Sequence, residues 1–265
     1  MDEAVELLTR ARRGVLLAVA ATPSEDAFAS MVGLSLALEG FGKPTTTASP
    51  SHVPSSLRFL PGTSQVRETI EPSGALHLTV PLNGAQPRSV EWDIVNGALE
   101  IAILPERGKT LPDAPVNVRR NAFPWDCVIT VGVPHLRVLG APFAAHPDLF
   151  STTPLLNIDH GTRNEFFGTV NLVPATSATI AEVVLELLDV LGGVNLLTPD
   201  VATCLLTGVV AGTSSFRSAS TTPRTFEAAA QLVAQEADQQ TIVRHLFQTH
   251  ALSELRLLGR VLTRL

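Results

Sequence analysis

An α/β fold, built on a doubly wound and mostly parallel sheet, is what this sequence predicts, and three observations carry the prediction. The chain opens as strand, helix, strand: an apolar run at 15–21 (VLLAVAA), a helical stretch over 25–41, and a second strand at 44–48 (PTTTA). A continuous apolar run of that length fits a strand buried on both faces. Comparable runs return at 127–133 (CVITVGV) and 154–158 (PLLNI), with helical text after each. The last third is rich in helical text, led by a long helix over 177–191. Strands that alternate with helices are the pattern of a parallel sheet covered on its faces.

The elements follow in order. Residues 3–12 place Val5, Leu8 and Ala11 at helical spacing, and Arg10, Arg12 and Arg13 fall where cations suit the helix dipole. Gly14 then breaks the pattern. Ser24 can cap the helix over 25–41, which stops at Gly40 or Gly42. Residues 49–125 read differently, with recurring prolines and glycines and short strand-like pieces at 75–81, 88–94 and 98–104. Asn96-Gly97, between the last two, is a strong hairpin signal. This stretch is expected to be a β-rich insertion, and 105–125, with Pro105, Pro112, Pro115 and Pro124, returns the chain to the frame. A short helix is expected near 135–139. The helix over 177–191 would be capped by Thr176 or Ser177 and ended by Gly192-Gly193. Helices near 198–210, 224–235, 239–248 and 251–264 make residues 198–265 a helical C-terminal part. The expectation is one domain over 1–265 that carries the insertion.

Composition narrows the function. Of the 265 residues 45% are apolar and 17% charged, as in soluble globular proteins, and the net charge of −6 argues against a general grip on nucleic acid or anionic membrane. Cys127 and Cys204 both lie in apolar runs and read as small buried side chains. The N-terminus is acidic where a secretory signal would be basic, and the apolar runs fall short of the ~20 residues of a membrane helix. A soluble cytoplasmic protein with no membrane partner is expected. Thr213-Ser214-Ser215 is not a nucleophile elbow, no CxxC or Walker loop occurs, and His245 and His250 lack the four-residue zinc spacing.

The specific text is at 154–188, PLLNIDHGTRNEFFGTVNLVPATSATIAEVVLELL. It resembles the signature of the DHH-family phosphoesterases, the group of RecJ-like exonucleases, oligoribonucleases and pAp phosphatases. That signature runs apolar strand, Asp-His-His, an Asn three residues on, Phe-Gly, Asn, and a Ser/Thr-capped helix. Here Asp159, His160, Asn164, Phe167, Gly168, Asn171, Thr176 and Ser177 match, and Gly161 stands for the second His. Three further motifs are similar in order. Residues 15–43 resemble the first, His-x-x-x-Asp-x-Asp-Ala before a helix ending Gly-Lys, and read Ala20, Ser24, Asp26, Ala27 and Gly42-Lys43. In 126–140 the strand should end in an Asp, and Gly132 is there. In 202–226 Gly208, Thr213 and Phe216 match, and Gly212 stands for an Asp. The resemblance implies a DHH phosphoesterase domain over roughly 1–48 and 126–265, without the glycine-rich substrate-binding domain that usually follows.

The resemblance also implies a chemistry. Family members use two divalent ions, usually manganese, that hold a hydroxide and neutralise the phosphate being cleaved. Positions 20, 24, 26, 132, 159, 160, 161 and 212 define that centre, and only Asp26, Asp159 and His160 keep the family residue. Ala20, Ser24, Gly132, Gly161 and Gly212 replace the rest. Methyl, hydroxyl and hydrogen are poor ligands for hard ions, and carboxylates left without a cation would repel one another. The three retained residues are therefore read as vestigial, with a second reading as local caps: Asp159 and His160 at a strand end, Asp26 in the first turn of a helix. Arg163 and Asn164 are the candidate phosphate contacts, and a lone Arg on a loop also reads as a solvated surface residue.

Two functions are expected from this. The first is a non-catalytic DHH-like binding or scaffold protein whose cleft still holds a phosphate or nucleotide, with no cofactor. The alternative is a metal-dependent phosphoesterase for short oligonucleotides or nucleotides, with manganese or magnesium. The apolar stripe Leu252, Leu255, Leu258, Val261, Leu262 and Leu265 points to a homodimer or protein partner joined through the C-terminal helices.

Overall fold

Five parallel strands form the frame of the structure, a computed structural model that describes residues 1–73, 75–113, 115–248 and 260. The chain divides into two units, Met1–Glu71 with Pro124–Leu265, and Pro72–Phe123. In the first unit α1 (Asp2–Arg10) carries Asp2 and Glu3 in its first turn and Arg10 in its last, each complementary to the helix dipole. β1 (Val15–Val19) is buried along its whole length, as its unbroken apolar text requires. α2 (Glu25–Gly40) starts at Ser24, whose hydroxyl accepts from the Ala27 amide, and β2 (Thr45–Ala48) pairs parallel to β1.

The other side of β1 pairs with β7 (Cys127–Val131), and β8 (Leu155–Ile158) and β9 (Val170–Leu172) follow outward, all parallel. The chain thus steps from β1 to β2 on one side and later to β7 on the other. The C-terminal ends of β1 and β7 mark the topological switch point, outside which open α/β sheets place their ligands. The Asp126 carboxylate ties the strand starts together by accepting from the amides of Arg12, Arg13 and Gly14.

Helices complete the layers. A 3-10 turn at Leu136–Leu139 stands where a short helix is expected, followed by α3 (Ala141–Ala145) and α4 (Pro147–Thr152). α5 (Ile180–Leu191) begins later than the expected 177, because its cap is Thr179 rather than Thr176 or Ser177. α6 (Pro199–Gly212), α7 (Pro223–Ala234) and α8 (Gln239–Val243) follow, and a π-helical turn at Arg244–Gln248 continues α8. Phe28, Leu34, Ile129, Leu156, Leu188 and Leu205 are among the buried side chains of a single core. The stripe expected over 251–264 falls outside the described residues, apart from Arg260. No helix of the described residues is long and apolar enough to cross a membrane.

The β-rich unit is narrower than the expected 49–125. Residues 49–71 stay with the frame, with 3-10 turns at Ser55–Leu57 and Thr63–Gln65, and Leu57 and, between the turns, Leu60 are buried in the main core. In the second unit β3 (Ala75–Thr79) pairs antiparallel with β6 (Asn117–Ala122), and nested inside, β4 (Pro87–Val95) pairs antiparallel with β5 (Ala98–Pro105). The hairpin turns at Asn96 and Gly97, whose φ values of 52° and 79° are those of a type I′ turn.

Candidate functional site

Three of the family positions lie just beyond the C-terminal ends of adjacent strands: Ala20 after β1, Gly132 after β7 and Asp159 after β8. Asp26 approaches from the first turn of α2, and Gly212 ends α6. The fold therefore gathers at one edge the positions that the sequence singled out.

Asp26 is buried, and its carboxylate faces the N-terminus of α5. Oδ2 accepts from the Ile180 amide at 2.8 Å, and Oδ1 accepts from the Ala181 amide at 3.2 Å and from the Ser30 hydroxyl at 3.1 Å. Helix N-termini leave amides in need of acceptors, so a residue of the second helix caps the fifth. Burial pushes the Asp26 carboxyl up to about 6, although both amides, Ser30 and the nearby positive charge of His160 favour its ionised form.

The glycines around Asp26 are packed. Gly132 has φ +64°, and a Cβ there would lie 2.6 Å from the Ala27 Cβ and 2.8 Å from the Ile180 Cδ1. A Cβ on Gly212 would meet the Thr179 Cγ2 at 2.8 Å and the Asp26 Oδ2 at 3.0 Å, and one on Gly208 would meet the Asp26 Oδ1 at 2.9 Å. Gly161 differs, because its Cβ would make only ordinary contacts with Asp159, the nearest at 3.4 Å.

Asp159 is also buried and engaged. Its Oδ1 accepts from the His160 and Gly161 amides, and its Oδ2 accepts from the Asn164 side chain at 2.7 Å. Asn164 donates in addition to the Val133 carbonyl and accepts from the Asn157 side chain and the Phe166 amide. Both hydrogens and the oxygen of its amide are thus in use, which makes it a brace of the Asp159 turn. Asn157 extends the network to Thr130 and Asn171 across β7, β8 and β9. Arg163 is exposed on the loop, His160 is half-buried, and Ser24 serves as the cap of α2. Among the described residues, no group of three or more His, Cys, Asp and Glu side chains converges as metal ligands do.

Sequence reasoning missed Ser30, Thr130 and Asn157. A signal for two of them was present, since a polar side chain inside the apolar strand texts CVITVGV and PLLNI must find a partner when buried. The use of the Ile180 and Ala181 amides left no such trace.

Comparison with known proteins agrees with this architecture. No family model matches the chain. Over 261 residues, 97% of its length, it is 28% identical to the bifunctional oligoribonuclease and PAP phosphatase NrnA of Thermus thermophilus. The similarity to that protein runs along nearly the whole chain. Its fold also matches the crystal structure of an exopolyphosphatase-related protein from Bacteroides fragilis, with a TM-score of 0.70 over 99% of the chain at 19% identity. The chain spans 61% of the Thermus protein and 64% of the Bacteroides one.

Proposed function

We propose that this DHH-like domain is non-catalytic and works as a binding or scaffold module, with the switch-point crevice as its ligand site. The observation that carries the reading is the engagement of Asp26, whose two oxygens are both taken by the α5 amides. An ion-pair centre of the family type needs carboxylates that converge on the ions from several strand ends. Here position 132 has no side chain, its Cβ space is filled by Ala27 and Ile180, and position 212 is closed by Thr179 and Asp26. The residues present do not fit two manganese ions, and no hydrolytic step is assigned to them. Asp159, braced by Asn164, holds the strand-end loop in shape, and the exposed Arg163 on that loop is the side chain proposed to meet an anionic ligand such as a nucleotide phosphate.

The likeness to an oligoribonuclease and PAP phosphatase sets the assay. Hydrolysis of a dinucleotide and of bis-p-nitrophenyl phosphate is measured with manganese present, alongside calorimetric titration with a mononucleotide. The expected result is no manganese-dependent turnover, with nucleotide binding that weakens in Arg163→Ala. Manganese-dependent hydrolysis that disappears in Asp26→Ala would overturn the proposal and establish a working phosphoesterase.

A further inference from the structure

The hairpin of the second unit has an apolar face that its own unit does not cover. In the β4–β5 register Val90 lies opposite Ile103, Trp92 opposite Ile101 and Ile94 opposite Leu99. Side chains two apart on a strand share a face, so these six form one apolar surface. Trp92 is 70% exposed, Ile94 66%, Val90 57%, Leu99 55% and Ile101 42%. The opposite face carries Glu91, Asp93 and Glu100, all exposed, and residues 89–103 contain no Lys or Arg.

We propose that this face pairs with the same face of a second copy of the chain, closing two hairpins into a four-stranded sandwich. Three arguments favour a second copy. A two-stranded ribbon is at best marginally stable in water, and stability comes with more strands around a shared apolar face. Sheets packed face to face stand about 10 Å apart, so self-pairing buries the apolar surfaces while the acidic faces point outward into water, away from each other. The area is also adequate. An aromatic side chain contributes about 150–250 Å², and with the four aliphatic neighbours the exposed part of the face comes to on the order of 500 Å² per copy. Two copies would then remove on the order of 1,000 Å², the lower bound for a specific interface.

The test uses the full chain. Light scattering over about 1–100 μM is expected to give twice the 28.1 kDa chain mass at the upper end. Trp92 and Trp125 are the tryptophans, and Trp125 is buried and donates to the Thr46 hydroxyl. In a Trp125→Phe background the emission of Trp92 should therefore shift to the blue as concentration rises. Trp92→Asp and Ile101→Asp should each weaken the dimer at least about tenfold, while Asp93→Lys on the far face leaves it intact. A monomer throughout, or a dimer indifferent to Trp92→Asp, overturns the proposal. So does blue, concentration-independent Trp92 emission from a monomer, which would show that the chain covers the face by itself.

Discussion

Replacing Gly132 by alanine is a sharp probe of how the strand-end crevice is built. The residue has φ +64°, and left-handed backbone costs a residue with a Cβ about 1–2 kcal/mol. The new Cβ would lie 2.6 Å from the Ala27 Cβ and 2.8 Å from the Ile180 Cδ1, so α2 or α5 must shift, which adds about 1–3 kcal/mol of overpacking. The expected loss is about 2–5 kcal/mol, a large part of the about 5–15 kcal/mol that holds a domain folded. Gly132→Asp, the family residue, should lose more, because it also buries a carboxylate beside Asp26, and it should gain no metal-dependent cleavage. Gly161→Ala is the internal control. Its Cβ meets nothing closer than 3.4 Å and its φ is unexceptional, so it should change stability by no more than about 0.5–1 kcal/mol, toward greater stability. Urea unfolding followed by far-ultraviolet circular dichroism measures all three. A Gly132→Ala protein within about 0.5 kcal/mol of the parent, or a Gly161→Ala protein that loses as much as Gly132→Ala, would refute the packing argument.

Other outcomes follow from the same geometry. Millimolar manganese or magnesium should not raise the melting temperature by more than about 1 °C, because a ligand that stabilises must bind the folded state; a saturable rise abolished by Asp159→Ala would contradict this. Burial holds the folded Asp26 pKa at about 6, above its ordinary value of 3.8, so the stability linked to its proton is full below the lower value and is lost as pH rises through about 6. Acidification from about pH 7 to about pH 5 should therefore stabilise the parent relative to Asp26→Asn, and parallel pH profiles for the two would argue against it. For Asp126, burial works against ionisation, but the amides of Arg12, Arg13 and Gly14 and the charge of Arg13 hold its carboxyl below the usual range. Its contribution is thus present at neutral pH and lost in acid. Asp126→Ala should cost about 1–2 kcal/mol at neutral pH, and an equal cost in acid would show that the amides are not its source.

The frame was legible because its signals are strong and local. The apolar run of β1, the Ser24 cap of α2 and the Asn96-Gly97 turn each act over a few residues and need no distant partner. β6 and β9 were not anticipated: NVRRNA is too polar and VNL too short to stand out as strands. The start of α5 was misplaced because hydroxyls crowd its N-terminus, and the one that caps sits next to amides already taken by Asp26, a contact 154 residues away in sequence. The same holds at the crevice. Which family positions carry other residues can be read from the motifs, but the filling of the Gly132 niche and the use of the Asp26 and Asp159 oxygens depend on how helices and strands meet.

The clasp between Asp126 and the Gly14 amide, which starts β7 beside β1, has a consequence for how such a chain can grow. It closes a loop of 112 residues. Removing residues 72–123 would shorten that loop by about half, and because closure entropy rises only with the logarithm of length, the change in cost is about 0.5 kcal/mol. A whole β unit can therefore be inserted in the loop at little thermodynamic penalty to the frame sheet. The connection between the first and second halves of the frame is a place where new surface can be added while the register of β1 and β7 stays the same.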